Sequence, residues 1–118
     1  PLEVWEGNQL RDFNYVDDVT DAMLSAAIND NANGEIFNLG ADDVISLKEL
    51  AELLIKINGR GEYTIKPFPA DRKKIDIGDY YSDFKKIQHS LGWKPRVSLR
   101  GGLELTIDFY RKNLQYYI

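Results

Sequence analysis

The residue with the most chemical potential in this chain is Arg11, because of its setting. It opens the run Arg11-Asp12-Phe13-Asn14-Tyr15-Val16-Asp17-Asp18. Phe13, Tyr15 and Val16 read as a short strand. Asp17 or Asp18 reads as the cap of the helix that follows. A guanidinium at the entry of a strand that runs into a helix is well placed to hold an anion. Arginine is the side chain best shaped for phosphate. The bland alternative is a solvated ion pair with Asp12 or a nearby acid. A second basic cluster, Arg72-Lys73-Lys74, fits either a phosphate arm or a solvated loop. Tyr80 fits a substrate contact or a half-buried strand aromatic, and Gln9 a nucleotide contact or a polar loop residue.

Other candidate chemistry is weaker. Tyr81 and Lys85 have the Y-x-x-x-K spacing of an acid/base pair, but a chain with seven tyrosines can produce it by chance. Gly59-Arg60-Gly61 follows a helix and lacks the third glycine of a cofactor loop. His89 is alone on a helix surface. Asp17-Asp18, Asp42-Asp43 and the acids near Asp76 make no metal pattern. They are better explained as helix caps and solvated loops. No catalytic, metal-binding or cofactor-binding residue is assigned.

The elements that position these residues alternate between strand and helix, an α/β pattern. A helix is expected over Asp18 to Ile28 and a strand over Glu35 to Gly40. Ser46 and Glu49 form a capping box for a helix with the stripe Leu47, Leu50, Ala51, Leu54 and Ile57, stopped by Gly59. Glu62 to Pro67 reads as a strand, and Asp71 to Gly78 as a loop. Asp79 to Ser82 reads as an extended piece, and Asp83 to Leu91 as a helix. Ser98 caps the last helix, with inner face Leu99, Leu103, Ile107, Tyr110 and Leu114. About four helices and a few short strands result. A sheet this small is marginal unless other strands complete it.

Composition sets further bounds. The chain has 118 residues, 43% hydrophobic and 29% charged, as expected of one globular domain or part of one. Its net charge of -4 argues against a nucleic-acid surface. No apolar run reaches the roughly 20 residues that span a bilayer. The absence of cysteine excludes disulfides and is compatible with the cytoplasm.

Several motifs, taken in order, resemble one family. Gly7, Gln9 and Arg11-Asp12-Phe13-Asn14-Tyr15-Val16-Asp17-Asp18-Val19 resemble its R-D-F-x-Y-V-D-D-V segment. Phe37-Asn38-Leu39-Gly40 resembles its F-N-x-G strand, and Ile45 to Ala51 the helix start after it. Arg72, Asp79 to Asp83, Lys86 and Leu91-Gly92-Trp93-Lys94-Pro95 resemble its R-x-x-D…Y-x-D…K…L-G-W-x-P tail. Ser98-Leu99-Arg100 and Gly102-Leu103 resemble its S-L-x-x-G-L start of the final helix. The family is that of the NAD-dependent epimerases and dehydratases of nucleotide-diphosphate sugars, the extended short-chain dehydrogenase/reductases.

The resemblance implies that residues 1–118 are the C-terminal substrate-binding portion of such an enzyme. They could also carry the last strands of the Rossmann sheet, without the N-terminal NAD-binding domain. Arg11 and Arg72 would contact the diphosphate of a UDP- or dTDP-sugar, with Tyr80 and Gln9 nearby. NAD and catalysis would belong to the absent portion, so the isolated chain would be inactive and the intact enzyme a homodimer. Gly101 departs from the family's common glutamate and puts the start of the last helix in doubt. The alternatives are a stand-alone nucleotide-sugar binding module and a helical interaction module.

Overall fold

The computed structural model describes all 118 residues. In chain order the elements are β1 (Leu2–Trp5), β2 (Leu10–Asp12), α1 (Val16–Ile28), β3 (Val44–Ser46), α2 (Leu47–Asn58), β4 (Tyr63–Lys66), α3 (Ala70–Lys73), α4 (Lys85–Leu91) and α5 (Leu99–Asn113). β1 pairs in parallel with β4, from Leu2 opposite Tyr63 to Trp5 opposite Lys66. β2 pairs antiparallel with β3, Arg11 lying opposite Ile45. The α/β class is therefore as expected.

α2 is the element most fully written in local sequence. The Ser46 hydroxyl accepts from the Glu49 amide, and the Glu49 carboxylate accepts from the Ser46 amide. The Ser46 hydroxyl hydrogen bond, then its amide, holds the Glu49 carboxyl below the usual carboxylate range. Gly59 ends the helix at φ 75, a left-handed conformation that favours glycine. α5 also starts where expected, with Ser98 accepting from the Gly101 amide. The doubt raised by Gly101 does not materialise. The missing side chain at Gly102 has a use, because a Cβ there would lie 3.3 Å from the Tyr15 ring.

Several expectations are corrected. The strand expected over Phe13 to Val16 lies upstream at Leu10–Asp12, because its partner β3 begins at Val44, opposite Asp12. Neither Asp17 nor Asp18 caps α1; Tyr15 holds that position without a side-chain bond. Glu35 to Gly40 is not in any ladder. It does alternate, with Phe37 and Leu39 half-buried and Ile36 and Asn38 exposed. The expected loop after β4 contains α3, and β1 was not anticipated. Tyr110 and Leu114, assigned to the inner face of α5, are about half exposed.

Aspartates tie the segments together. Asp12 Oδ2 accepts from the amides of Ala41 at 3.2 Å and Ser82 at 3.0 Å. A Cβ on Gly40 would sit 2.7 Å from the Ser82 oxygen, so the crossing needs glycine. Asp43 Oδ2 accepts from the Leu99 amide at 3.0 Å. Asp18 is 5% exposed. Its Oδ2 accepts from the Arg96 and Val97 amides, both at 3.0 Å, and its carbonyl from the Trp93 indole. These bonds fix the α4–α5 link over the small core of Ala22, Ile87 and Trp93. Asp18→Ala strands two amides and is expected to cost about 2–4 kcal/mol, read by urea denaturation. A loss below that of an exposed aspartate such as Asp42 would contradict this role.

Candidate nucleotide-sugar site

Arg11 sits in the middle of β2 with its side chain about one-fifth exposed. Its Nη1 donates to the Leu10 carbonyl at 2.7 Å and to the Gly78 carbonyl. Its Nη2 lies 3.8 Å from Asp76 Oδ1. The guanidinium is thus oriented by two neutral carbonyls, with one loosely held edge left for another anion. The segment that does this is laid along β2. Asp79 accepts from the Leu10 amide at 2.9 Å, and the Tyr80 amide donates to the Leu10 carbonyl at 3.0 Å. A parallel bridge joins Arg11 to Tyr80. The Tyr80 ring stays about half exposed.

An open groove of about 540 Å³ runs between β1 and α2 and reaches Asp76, the acid beside Arg11. Trp5, Phe68, Leu50, Gln9 and Asp76 are among the residues that line it. Trp5 and Phe68 stack at a tilt, 5.5 Å between centroids. Gln9 Nε2 donates to the Trp5 carbonyl at 3.3 Å, while its Oε1 is buried without a partner. Of the four residues singled out from sequence, Gln9 lines the groove, Arg11 meets it through Asp76, and Tyr80 is bridged to Arg11. Arg72 stands apart on α3, exposed and beside Asp71 at 3.8 Å. No bond joins it to Arg11. Sequence reading missed Trp5, Phe68 and Asp76. The β-favouring pair Val4-Trp5 was the available signal for β1, too short to stand alone.

Residues 1–106 match the family model described as GDP-mannose 4,6 dehydratase. The chain belongs to that family. Its resemblance to the extended short-chain epimerases and dehydratases is thereby borne out. GDP-L-fucose synthase 1 of Arabidopsis thaliana is 38% identical over 94% of this chain and 33% of its own length. The dTDP-D-glucose 4,6-dehydratase of Mus musculus is 37% identical, over 91% of this chain and 31% of its own. The chain thus spans about a third of the length of the curated relatives it matches. Among solved structures, a UDP-glucose 4-epimerase from Thermotoga maritima with UDP-glucose superposes at a TM-score of 0.83. It is 36% identical over 96% of this chain and 35% of its own. MoeE5 in complex with UDP-glucuronic acid and NAD superposes at 0.83 with 27% identity, over 96% of this chain and 37% of its own.

The N-termini of the three long helices do not fit the pyrophosphate of NAD. A dinucleotide needs a glycine turn and a free helix N-terminus for its pyrophosphate. Asp17 and Asp18 stand in the first turn of α1. The N-terminus of α2 is filled by its capping box, and that of α5 by Ser98 and Asp43. No helix is long and apolar enough to cross a membrane.

Proposed function

We propose that residues 1–118 act as the C-terminal, nucleotide-diphosphate-sugar-binding portion of an NAD-dependent epimerase or dehydratase. The observation that carries this reading is Arg11, pre-oriented by the Leu10 and Gly78 carbonyls beside Asp76, which lines an aromatic groove. A diphosphate fits the open edge of the guanidinium through charge-assisted hydrogen bonds. The base and ribose fit the groove against Trp5 and Phe68, with the unpartnered Gln9 Oε1 free to accept from them. Tyr80 borders the same phosphate site. Arg72, on α3 between β4 and α4, is the second arm.

Family membership and the nucleotide-sugar names of the relatives support this reading. The relatives act on or hold UDP-, dTDP- and GDP-linked sugars by name, so the base stays open among the three. Cofactor binding and hydride chemistry belong to the remainder of such an enzyme, and the isolated chain is expected to show no turnover. The alternating Glu35 to Gly40 segment is assigned to the edge of that remainder's sheet. Assembly as a homodimer and a cytoplasmic location follow the family expectation.

The test is titration of the whole enzyme carrying this chain with UDP, dTDP and GDP. At least one is expected to quench the exposed Trp5 and leave the buried Trp93 unchanged. Trp5→Ala is expected to weaken that ligand roughly tenfold, the worth of one stacked base. Failure of all three to bind would sink the reading.

A further inference from the structure

Glu6 is the only residue other than glycine with a positive φ, at 54°. That conformation favours glycine, so a glutamate there calls for a reason. Its backbone is pinned on both sides. The Glu6 amide donates to the Lys66 carbonyl at 2.9 Å, and the Lys48 amide donates to the Gly7 carbonyl at 2.9 Å. A Cβ on Gly7 would already touch Lys48 at 3.0 Å. The turn therefore aims the Glu6 side chain in a fixed direction. It meets Lys73, whose Nζ donates to both carboxylate oxygens, at 2.8 and 3.2 Å. Lys73 is the last residue of α3, and its neighbour is Arg72.

The two ends of this bond lie close in sequence to two residues that line the groove. Trp5 precedes Glu6, and Phe68 precedes α3; their rings stack. The ion pair and the ring pair together fasten the end of β1 to the segment that carries Arg72. We infer that Glu6 is a positioning residue that acts through Lys73, strapping α3 to the groove so that Arg72 is preset for a diphosphate. This rests on the reading of the groove as a nucleotide site. It adds a role for two residues that would otherwise be a surface ion pair.

The sign of the effect separates this role from simple electrostatics. Removing an acid near a bound diphosphate should by charge alone strengthen binding. A strap predicts the opposite. The test measures affinity for UDP, dTDP and GDP, with the matching nucleosides as phosphate-free controls, in the whole enzyme carrying this chain. Glu6→Gln and Glu6→Gly are each expected to weaken the diphosphate roughly threefold, the size of a well-formed surface pair, and to leave the nucleoside unchanged. Glu6→Gly also relieves the left-handed backbone, so weaker binding without lower stability excludes a merely structural role. The charge-exchanged pair Glu6→Lys with Lys73→Glu is expected to restore binding, and neither Glu6 variant should matter once Arg72→Ala is present.

Unchanged or tighter diphosphate binding in Glu6→Gln overturns the strap. So does an equal loss for the nucleoside, or a loss that persists beside Arg72→Ala. If the unmodified enzyme binds none of the three diphosphates, the site reading falls and takes the strap with it. If it binds one and the Glu6 variants do not differ, only the strap falls.

Discussion

Arg11→Ala is expected to weaken nucleoside diphosphate binding to the whole enzyme by roughly 10- to 100-fold. A hydrogen bond to a charged group is worth about 1.5–3 kcal/mol, and each 1.4 kcal/mol is a factor of ten. The loss falls in this range because the guanidinium is already oriented. Its Nη1 is spent on the Leu10 and Gly78 carbonyls, so little side-chain entropy is lost on binding. The nearest competing anion, Asp76, stands at 3.8 Å and makes no close hydrogen bond that a phosphate must break. Arg11→Lys is expected to recover only part of the loss, because an ammonium cannot serve the two carbonyls and a phosphate in one plane. Calorimetric titration with the diphosphate and the bare nucleoside checks this. An equal loss for both ligands would mean that Arg11 shapes the groove rather than binding phosphate. No loss for either would remove it from the site. Arg72→Ala should cost less, since its side chain is more exposed to solvent screening.

What sequence could reveal about this site follows from how far apart the partners lie. α2 was legible because everything that fixes it is local: the Ser46–Glu49 box, the apolar stripe and Gly59. The start of α5 was legible for the same reason, through Ser98. Arg11 was legible as a phosphate-seeking side chain, but what orients it is the Gly78 carbonyl, which no spacing rule connects to it. Asp18 shows the same limit. Its sequence position says helix cap, yet its carboxylate is taken by the Arg96 and Val97 amides. Two amides at a buried carboxylate outweigh one exposed cap. Trp5 and Phe68 come together only because β1 and β4 pair in parallel, a crossover that neither short strand announces alone. The Glu35 to Gly40 segment is the instructive miss. It is extended enough to bury Phe37 and Leu39 in alternation, but a half-buried face does not report a hydrogen-bonded neighbour.

That unpaired segment leads to the second large effect, on the chain by itself. The isolated 118 residues are expected to self-associate and to bind an apolar dye, whereas the whole enzyme should do neither to the same degree. Only 8 of 118 residues are buried, too few for a closed core. α1 and Glu35 to Gly40 pack on the same small cluster through Ala22, Phe37 and Leu39. Their other sides leave Ile28 at 87%, Ile36 at 82%, Met23 at 67% and Leu24 at 61% exposure. Full burial of such a side chain is worth about 1.5–3 kcal/mol. Four of them approach roughly 6–12 kcal/mol, an upper bound comparable to the whole stability of a domain. A face of that value beside an unpaired strand edge is a docking surface under the proposed assignment, and a liability without its partner. Ile28→Lys with Ile36→Lys should therefore act in opposite directions. It should render the isolated chain more monodisperse in sedimentation velocity, and should lower the melting temperature of the whole enzyme. If the isolated wild-type chain sediments as a monomer without dye binding, these faces need no partner and the assignment of Glu35 to Gly40 to a larger sheet fails. If the double variant leaves the whole enzyme's melting unchanged, the faces are exposed there too, and the docking surface lies elsewhere.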